Sequence, residues 1–206
     1  MKKLLLTLAI AVVATTSAFA QLGVTAGYAN SKTTYTSGNS SYTDPALNGA
    51  FVEAFYQLPV SDIITIEPGI RYTFLTGKES GSALGATFTG TTTEHYVAVP
   101  VMAHFQFELA NDMAVFAFAG PTVAYGIAGS YNASISAGSS SASSPSQLFD
   151  EYYSPLDMLI GGGIGIEFNN FRLSAGYHYG FLDRNGKDTS SVTRDSQILV
   201  GLSMLF

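Results

Sequence analysis

Apolar and polar residues alternate one for one along most of this chain. In the closing segment Ile198, Val200, Leu202, Met204 and Phe206 take one parity, against Gln197, Leu199, Gly201, Ser203 and Leu205. A period of two sends successive side chains to opposite faces of a strand. With one face apolar throughout and an aromatic last residue, the pattern predicts a strand between lipid and a lumen. Eight such segments follow one another, near residues 22–29, 49–58, 63–76, 94–108, 113–130, 156–168, 171–183 and 196–206. The spacers alternate in length. Residues 30–48, 77–93, 131–155 and 184–195 are long and polar, whereas 59–62, 109–112 and 169–170 are short turns of Pro, Asp and Asn. Short turns at one end and long loops at the other predict an all-β fold, an eight-stranded antiparallel up-and-down transmembrane barrel. Both termini and the short turns then face the periplasm of a Gram-negative cell.

Parity also assigns the faces. A charge on the lipid face at the bilayer midplane costs roughly 2–4 kcal/mol, so the apolar set must face out. Ile64, Ile66, Pro68, Ile70, Tyr72 and Phe74 then look to lipid, as do Phe171, Leu173, Ala175, Tyr177 and Tyr179. Glu67, Arg71, His104, Glu108, Asp157, Glu167, Arg172 and His178 point inward. Two places strain the pattern. Residues 113–130 are apolar on both parities, and a bulge at Gly120-Pro121 would swap the faces and let Phe116 and Phe118 meet lipid beside Val123, Tyr125 and Ile127. Pro68 and Pro100 fall mid-strand, where each removes a ladder hydrogen bond.

The amino terminus changes the picture from a strand pattern to an exported protein. Lys2 and Lys3 precede an apolar run over residues 4–14, and a small-residue stretch ends at Ala18-Phe19-Ala20. These are the parts of a secretory signal. A spanning helix would need roughly 20 apolar residues. The expected division is a signal peptide over 1–20, cleaved after Ala20, and a barrel domain over 21–206. Only 12% of residues are charged while 13% are aromatic, against roughly 25% charged in soluble domains. Loss of Lys2 and Lys3 takes the net charge from −6 to −8, which argues against a nucleic-acid partner. The absence of cysteine excludes disulfides, thiol chemistry and lipoprotein processing.

Several short motifs, in order, resemble the PorT-like outer-membrane β-barrel domain family. They are Gly23-Val24-Thr25-Ala26-Gly27, Ile66-Glu67-Pro68, Tyr96 with Val99-Pro100-Val101, Ala119-Gly120-Pro121, Gly161-Gly162-Gly163-Ile164-Gly165 and Gly176-Tyr177-His178-Tyr179-Gly180. The resemblance spans nearly the whole mature chain. It implies an eight-stranded barrel in the outer membrane and supports strands that run through the two prolines.

Side chains just fill an eight-stranded barrel, so the inward charges are expected to pair as a packed polar core. The alternative is a narrow channel along the same residues, or a barrel associated with transport or secretion. A second alternative is a lipid-modifying enzyme, for which Ser174, His178 and Asp157 or Glu167 would be the only wall triad. That set would lie inside, away from acyl chains, so no catalytic residues are assigned. No histidine pair has metal-ligand spacing, and no cofactor or metal is expected. The stretches 31–41 and 134–146 are almost entirely small and polar, and are expected to remain mobile. Tyr35, Tyr42, Phe149, Tyr152 and Tyr153 are candidate contacts for an extracellular partner. The expected partners are otherwise outer-membrane lipid and the barrel-assembly machinery, which the aromatic end at Phe206 would address. The expected state is a monomer whose role is structural or surface interaction through the outer loops.

Overall fold

The computed structural model describes residues 21–83, 86–110, 113–137, 140–149, 153–185 and 191–206. The predicted signal peptide, with Ala18 and Ala20, lies outside them. The described residues form ten strands: β1 (Gln21–Ser37), β2 (Ser40–Thr43), β3 (Leu47–Pro59), β4 (Ile64–Ala83), β5 (Ala86–Ala110), β6 (Met113–Ala137), β7 (Ser140–Gln147), β8 (Leu156–Phe168), β9 (Phe171–Gly180) and β10 (Val192–Leu205). Every pairing between them is antiparallel. Eight form the ring β1-β3-β4-β5-β6-β8-β9-β10, and β10 pairs back to β1 from Gly23↔Leu205 to Thr36↔Val192. Closure leaves the ring without an edge, as a lipid environment requires. The remaining two, β2 and β7, extend β1 and β6 above it.

The wall follows the alternation. Glu67, Gly69, Arg71, Thr73 and Leu75 of β4 are buried inside, whereas Ile70, Tyr72 and Phe74 are exposed outside. Two girdles of exposed aromatic residues bound the apolar band. Tyr28, Tyr72, Phe74, Tyr125, Tyr177 and Tyr179 form the upper one, and Tyr56, Phe105, Phe107, Phe168, Phe171 and Phe206 the lower one. At the lower end the β8–β9 turn uses Asn169 at φ 52°, a left-handed conformation that asparagine tolerates better than most residues. Strands do run through both prolines. Pro68 sits opposite Val101 and Pro100 opposite Thr122 without a change of register.

Two sequence expectations are corrected. No bulge occurs at Gly120-Pro121, because β6 pairs with β8 in one unbroken register from Met113↔Phe168 to Tyr125↔Leu156. Phe116 and Phe118 therefore stay on the inner parity, where Phe116 is buried. The physical reason is that the lumen has room for large rings, and they cover its buried charges. Gly120 allows this close fit, since a Cβ there would lie 2.1 Å from the Val101 carbonyl oxygen. The register shift lies instead between His95 and Tyr96, opposite Gly126 and Ala128, which leaves Ile127 as the extra residue.

The second correction concerns the polar stretches expected to stay mobile. Most of them are strands. Thr34–Ser37 pairs with Ser40–Thr43, and Ser130–Ala137 with both β5 and β7; the long polar spacer over 77–93 is likewise a hairpin, with Gly77–Ala83 against Ala86–Thr92. Serine- and threonine-rich segments have little to bury, yet here each inherits its register from the wall strand below, so hydrogen bonding continues upward without a new loop closure.

Candidate functional site

The lumen holds two separate ionic clusters. The lower one centres on Arg172 of β9, whose guanidinium fork meets three strands. Its Nε donates to Glu167 of β8, Nη1 to Glu67 Oε1 of β4 at 2.6 Å, and Nη2 to Gln106 Oε1 of β5 at 3.2 Å. Glu67 also accepts from Gln57 Nε2 at 2.7 Å and stands 3.0 Å from His104 Nε2. The His104 ring stacks against Phe116 and Phe118, both with centroids 5.3 Å away, and the Arg172 guanidinium lies 5.2 Å from the Phe116 centroid. Beside this group Arg71 Nε donates to Glu53 Oε2 at 2.6 Å. The cavity left among these side chains is about 60 Å³, room for about two waters at ~30 Å³ each.

The upper cluster closes the outer mouth. Arg184, in the connection after β9, donates through Nη1 to Asp195 and to the Tyr96 hydroxyl, the latter at 3.1 Å, and through Nε to the Ser154 carbonyl at 3.2 Å. Its guanidinium also faces the rings of Tyr96, Phe149 and Tyr153 at 5.5, 5.8 and 5.7 Å. Burial works against its charge, but Asp195 beside it holds the guanidinium above its ordinary range. Thr33 Oγ1 donates to Asp195 Oδ1 at 2.8 Å, and the Tyr96 hydroxyl donates to Glu94 Oε2 at 2.8 Å. Higher still, Tyr35 donates to Asp44 Oδ2 at 2.8 Å and its hydroxyl contacts that of Tyr153. Burial pushes the Tyr153 phenol up, so it remains a neutral hydroxyl. Above this cluster lies a cavity of about 340 Å³ whose lining includes Asp44, Glu79, Glu94, Tyr131 and Tyr153.

Between the clusters most of the buried side chains are apolar, with Thr73, Thr122 and His178 buried among them. Ala29, Phe51, Leu75 and Leu199 pack in one buried group with Tyr96 and Phe149, and Ala98, Ala124 and Leu159 in a second. Leu75 and Leu159 are essentially without solvent contact.

The expected inward residues thus fall into separate places. Glu67, His104, Glu167 and Arg172 come together. Arg71 shares the inner face with Glu67 but bonds to Glu53, its direct cross-strand partner at Glu53↔Arg71. Asp157 does not join Arg172, because it lies at the opposite end of β8 from Glu167; it packs against Gly180, where a Cβ would come within 2.8 Å of Oδ2. Asp157 Oδ1 and His178 Nδ1 are both buried without a hydrogen-bond partner, and no ion pair joins the two among the described residues. The histidine ring instead lies flat over Gly161, whose missing Cβ would stand 2.1 Å from Nδ1. Glu108 is exposed near the end of β5 rather than part of the core. Of the candidate surface aromatics, Tyr42 is exposed, Tyr35 and Tyr153 are half-buried, and Phe149 turns into the mouth. Tyr152 lies outside the described residues. Glu53, Arg184 and Asp195 are the functional side chains missed in sequence.

A closed ring with an apolar band, two aromatic girdles and an ion-paired interior meets the physical demands of a bilayer. The model of the outer membrane protein beta-barrel domain family matches residues 15–184. The chain belongs to that family. It is an integral outer-membrane protein. Its fold is similar to Ail, the attachment invasion locus protein of Yersinia pestis, at 16% identity over 90% of this chain and 98% of that one, with TM-score 0.44. Neisserial surface protein A gives 16% identity, 90% and 97% coverage and TM-score 0.45. The outer-membrane enzyme PagL gives 15%, 84% and 97%, and 0.43. These likenesses say nothing of what this family member binds or does. No curated protein matches the sequence.

Proposed function

We propose that this barrel is a closed anchor whose working part is the strand-built structure above the outer girdle. The observation that carries the proposal is the closely packed, mainly apolar layer of Phe51, Leu75, Leu159 and Leu199 between the two ionic clusters. An ion leaving Glu67 and Arg172 for the outer mouth would have to shed its water in that layer, which costs several kcal/mol even after relaxation. The lower charges then serve to tie strands together, and neither rival class, a narrow channel or a lipid-modifying enzyme, draws comparable support. The structural or surface-interaction role rests on the rising hairpins β1–β2, β4–β5 and β6–β7, which expose polar side chains and Tyr42.

Further parts of the proposal come from sequence. Residues 1–20 are a signal peptide cleaved after Ala20, the mature domain is 21–206, and both termini are periplasmic. The motif order favours the PorT-like branch. Phe206 addresses the barrel-assembly machinery, the mature chain is a monomer, and an extracellular partner docks above the barrel. Photo-crosslinking from Tyr42 on intact cells tests the surface role. A discrete adduct at the cell surface is expected, and adducts only with lipid or none at all would remove the role.

A further inference from the structure

The sheet parts above Leu47. Below that point β3 pairs with β4, and their last rung is Asn48↔Thr76. Above it Asp44, Pro45 and Ala46 break the strand. Ser31 opposes Leu47 but Thr34 opposes Thr43, so the break takes up one extra residue, and Pro45 has no N–H to give a ladder. β2 therefore follows β1, and among the described residues no strand pairs with the upper half of β4 on that side. Both banks of the resulting fork consist of described residues. Ser40–Thr43 on one and Lys78–Ala83 on the other are exposed throughout.

Backbone parity determines what the fork offers. At the foot of β4 the Ile64 carbonyl accepts from Val60 N at 2.9 Å, toward β3, and the Ile63 carbonyl from Gln106 N at 3.0 Å, toward β5. β4 and β5 then keep one register from Ile64↔Phe105 to Ala83↔Ala86, so even-numbered residues face away from β5 along the whole strand. Lys78, Ser80 and Ser82 thus turn their N–H and C=O groups into the fork. On the opposite bank Asp44 N donates to the Thr33 carbonyl at 2.9 Å, which leaves the alternate residues Ser41 and Thr43 facing the same gap. An edge of this kind is a template for a further strand. Its inner face is acidic. Glu79 has the inward parity and lines the mouth with Asp44 and Glu94. None of the three has an ion-pair partner among the described residues.

We infer that the fork takes an extended segment of an extracellular protein as an added strand, antiparallel to β4, with a lysine or arginine opposite Glu79. That side chain shares the face of Glu79 across the new pair and brings the cation that the three carboxylates lack. The inference rests on the surface role proposed above and names where and how the partner docks. Full-length protein in phosphatidylcholine nanodiscs is used to select from a random heptapeptide library, and the selected peptides are titrated by fluorescence anisotropy. Enrichment of extended sequences with a central lysine or arginine is expected. Ser80→Pro removes an N–H that faces the fork and leaves the β5 ladder intact. It should weaken these peptides about tenfold or more, as should N-methylation of alternate peptide amides. Glu79→Gln should weaken them about threefold and leave binding of a central-alanine analogue unchanged. No enrichment, enrichment of sequences without a basic residue, or binding indifferent to Ser80→Pro and N-methylation would each overturn the proposal. If Ser80→Pro does not insert, Ser82→Pro replaces it. On intact cells the Tyr42 crosslink should disappear in Ser80→Pro. An adduct that persists there removes strand addition and leaves the surface role standing, whereas no adduct in the wild type removes the surface role itself.

Discussion

At the residue scale the decisive group is Glu67, which takes charge-assisted hydrogen bonds from Arg172 and Gln57 and faces His104. Removing one member of a buried pair leaves the other charged and unpaired, at roughly 3–5 kcal/mol. Arg172→Ala takes the cation from Glu167 and leaves Glu67 only Gln57 and His104, so stability in detergent, followed by the heat-dependent shift in electrophoretic mobility, should fall by about this much. Arg172→Lys should recover part of the loss. An ammonium restores the charge but cannot reproduce a planar fork that reaches Glu67, Glu167 and Gln106 together. An Arg172→Ala protein as stable as wild type would remove the packed-core account. Parity placed Glu67, His104, Glu167 and Arg172 on the inner face without any structure, because each interrupts an otherwise apolar or small set. Glu53 was not legible. Its own parity also carries Phe51 and Phe55, large rings that look like a lipid-facing set and in fact fill the lumen. Arg184 and Asp195 escaped for another reason: they bound a spacer, and only tertiary folding brings its two ends together in the mouth.

At the element scale, strand existence and order were readable from alternation, but strand length was not. Above the girdle both faces meet water, so the hydrophobic contrast that marks a strand vanishes while its hydrogen-bond ladder continues. The upper halves of β4, β5 and β6 consequently look like loop in sequence. The same argument predicts their independence from the wall. Replacing residues 78–91 by an Asn-Gly turn removes mainly solvent-facing pairs and should change barrel stability by no more than about 1 kcal/mol, provided the short turn suits the hairpin. Phe149→Ala should cost more, roughly 3 kcal/mol, because Phe149 is buried against Tyr96, Gly126 and Gly129. The opposite ranking in the same mobility assay would mean that the rising sheet, and not the inserted connection, holds the mouth together. Orientation follows from the same elements. The chain has no cysteine, so Asn39→Cys at the exposed β1–β2 turn should react with an impermeant thiol reagent on intact cells. Asn111→Cys, outside the described residues in the short β5–β6 connection, should not, and the reverse result would invert the barrel.

At the scale of the whole molecule, closure and conduction make opposite demands on one lumen. An eight-stranded ring encloses space that side chains can fill, and this chain fills it in layers: ions below, Leu75 and Leu159 with their neighbours in the middle, ions again at the mouth. A pore needs a continuous polar track, whereas an anchor needs only that every buried charge be satisfied locally. The layered arrangement fails the first demand and largely meets the second: ion pairs hold the charges at both ends, while Asp157 Oδ1 and His178 Nδ1 stay without a hydrogen-bond partner. Wild-type protein in planar bilayers should therefore show no steady conductance. Leu75→Ser together with Leu159→Ser should hydrate the middle layer and join the two clusters, so small, flickering conductance is expected at a cost in stability of several kcal/mol, since two buried leucines are lost. Steady, ion-selective channels in the wild type, altered by Arg71→Ala while its thermal transition stays in place, would show that the middle layer opens in the membrane. The inward charges would then line a path, and the barrel would be a transporter that this structure holds in its closed state.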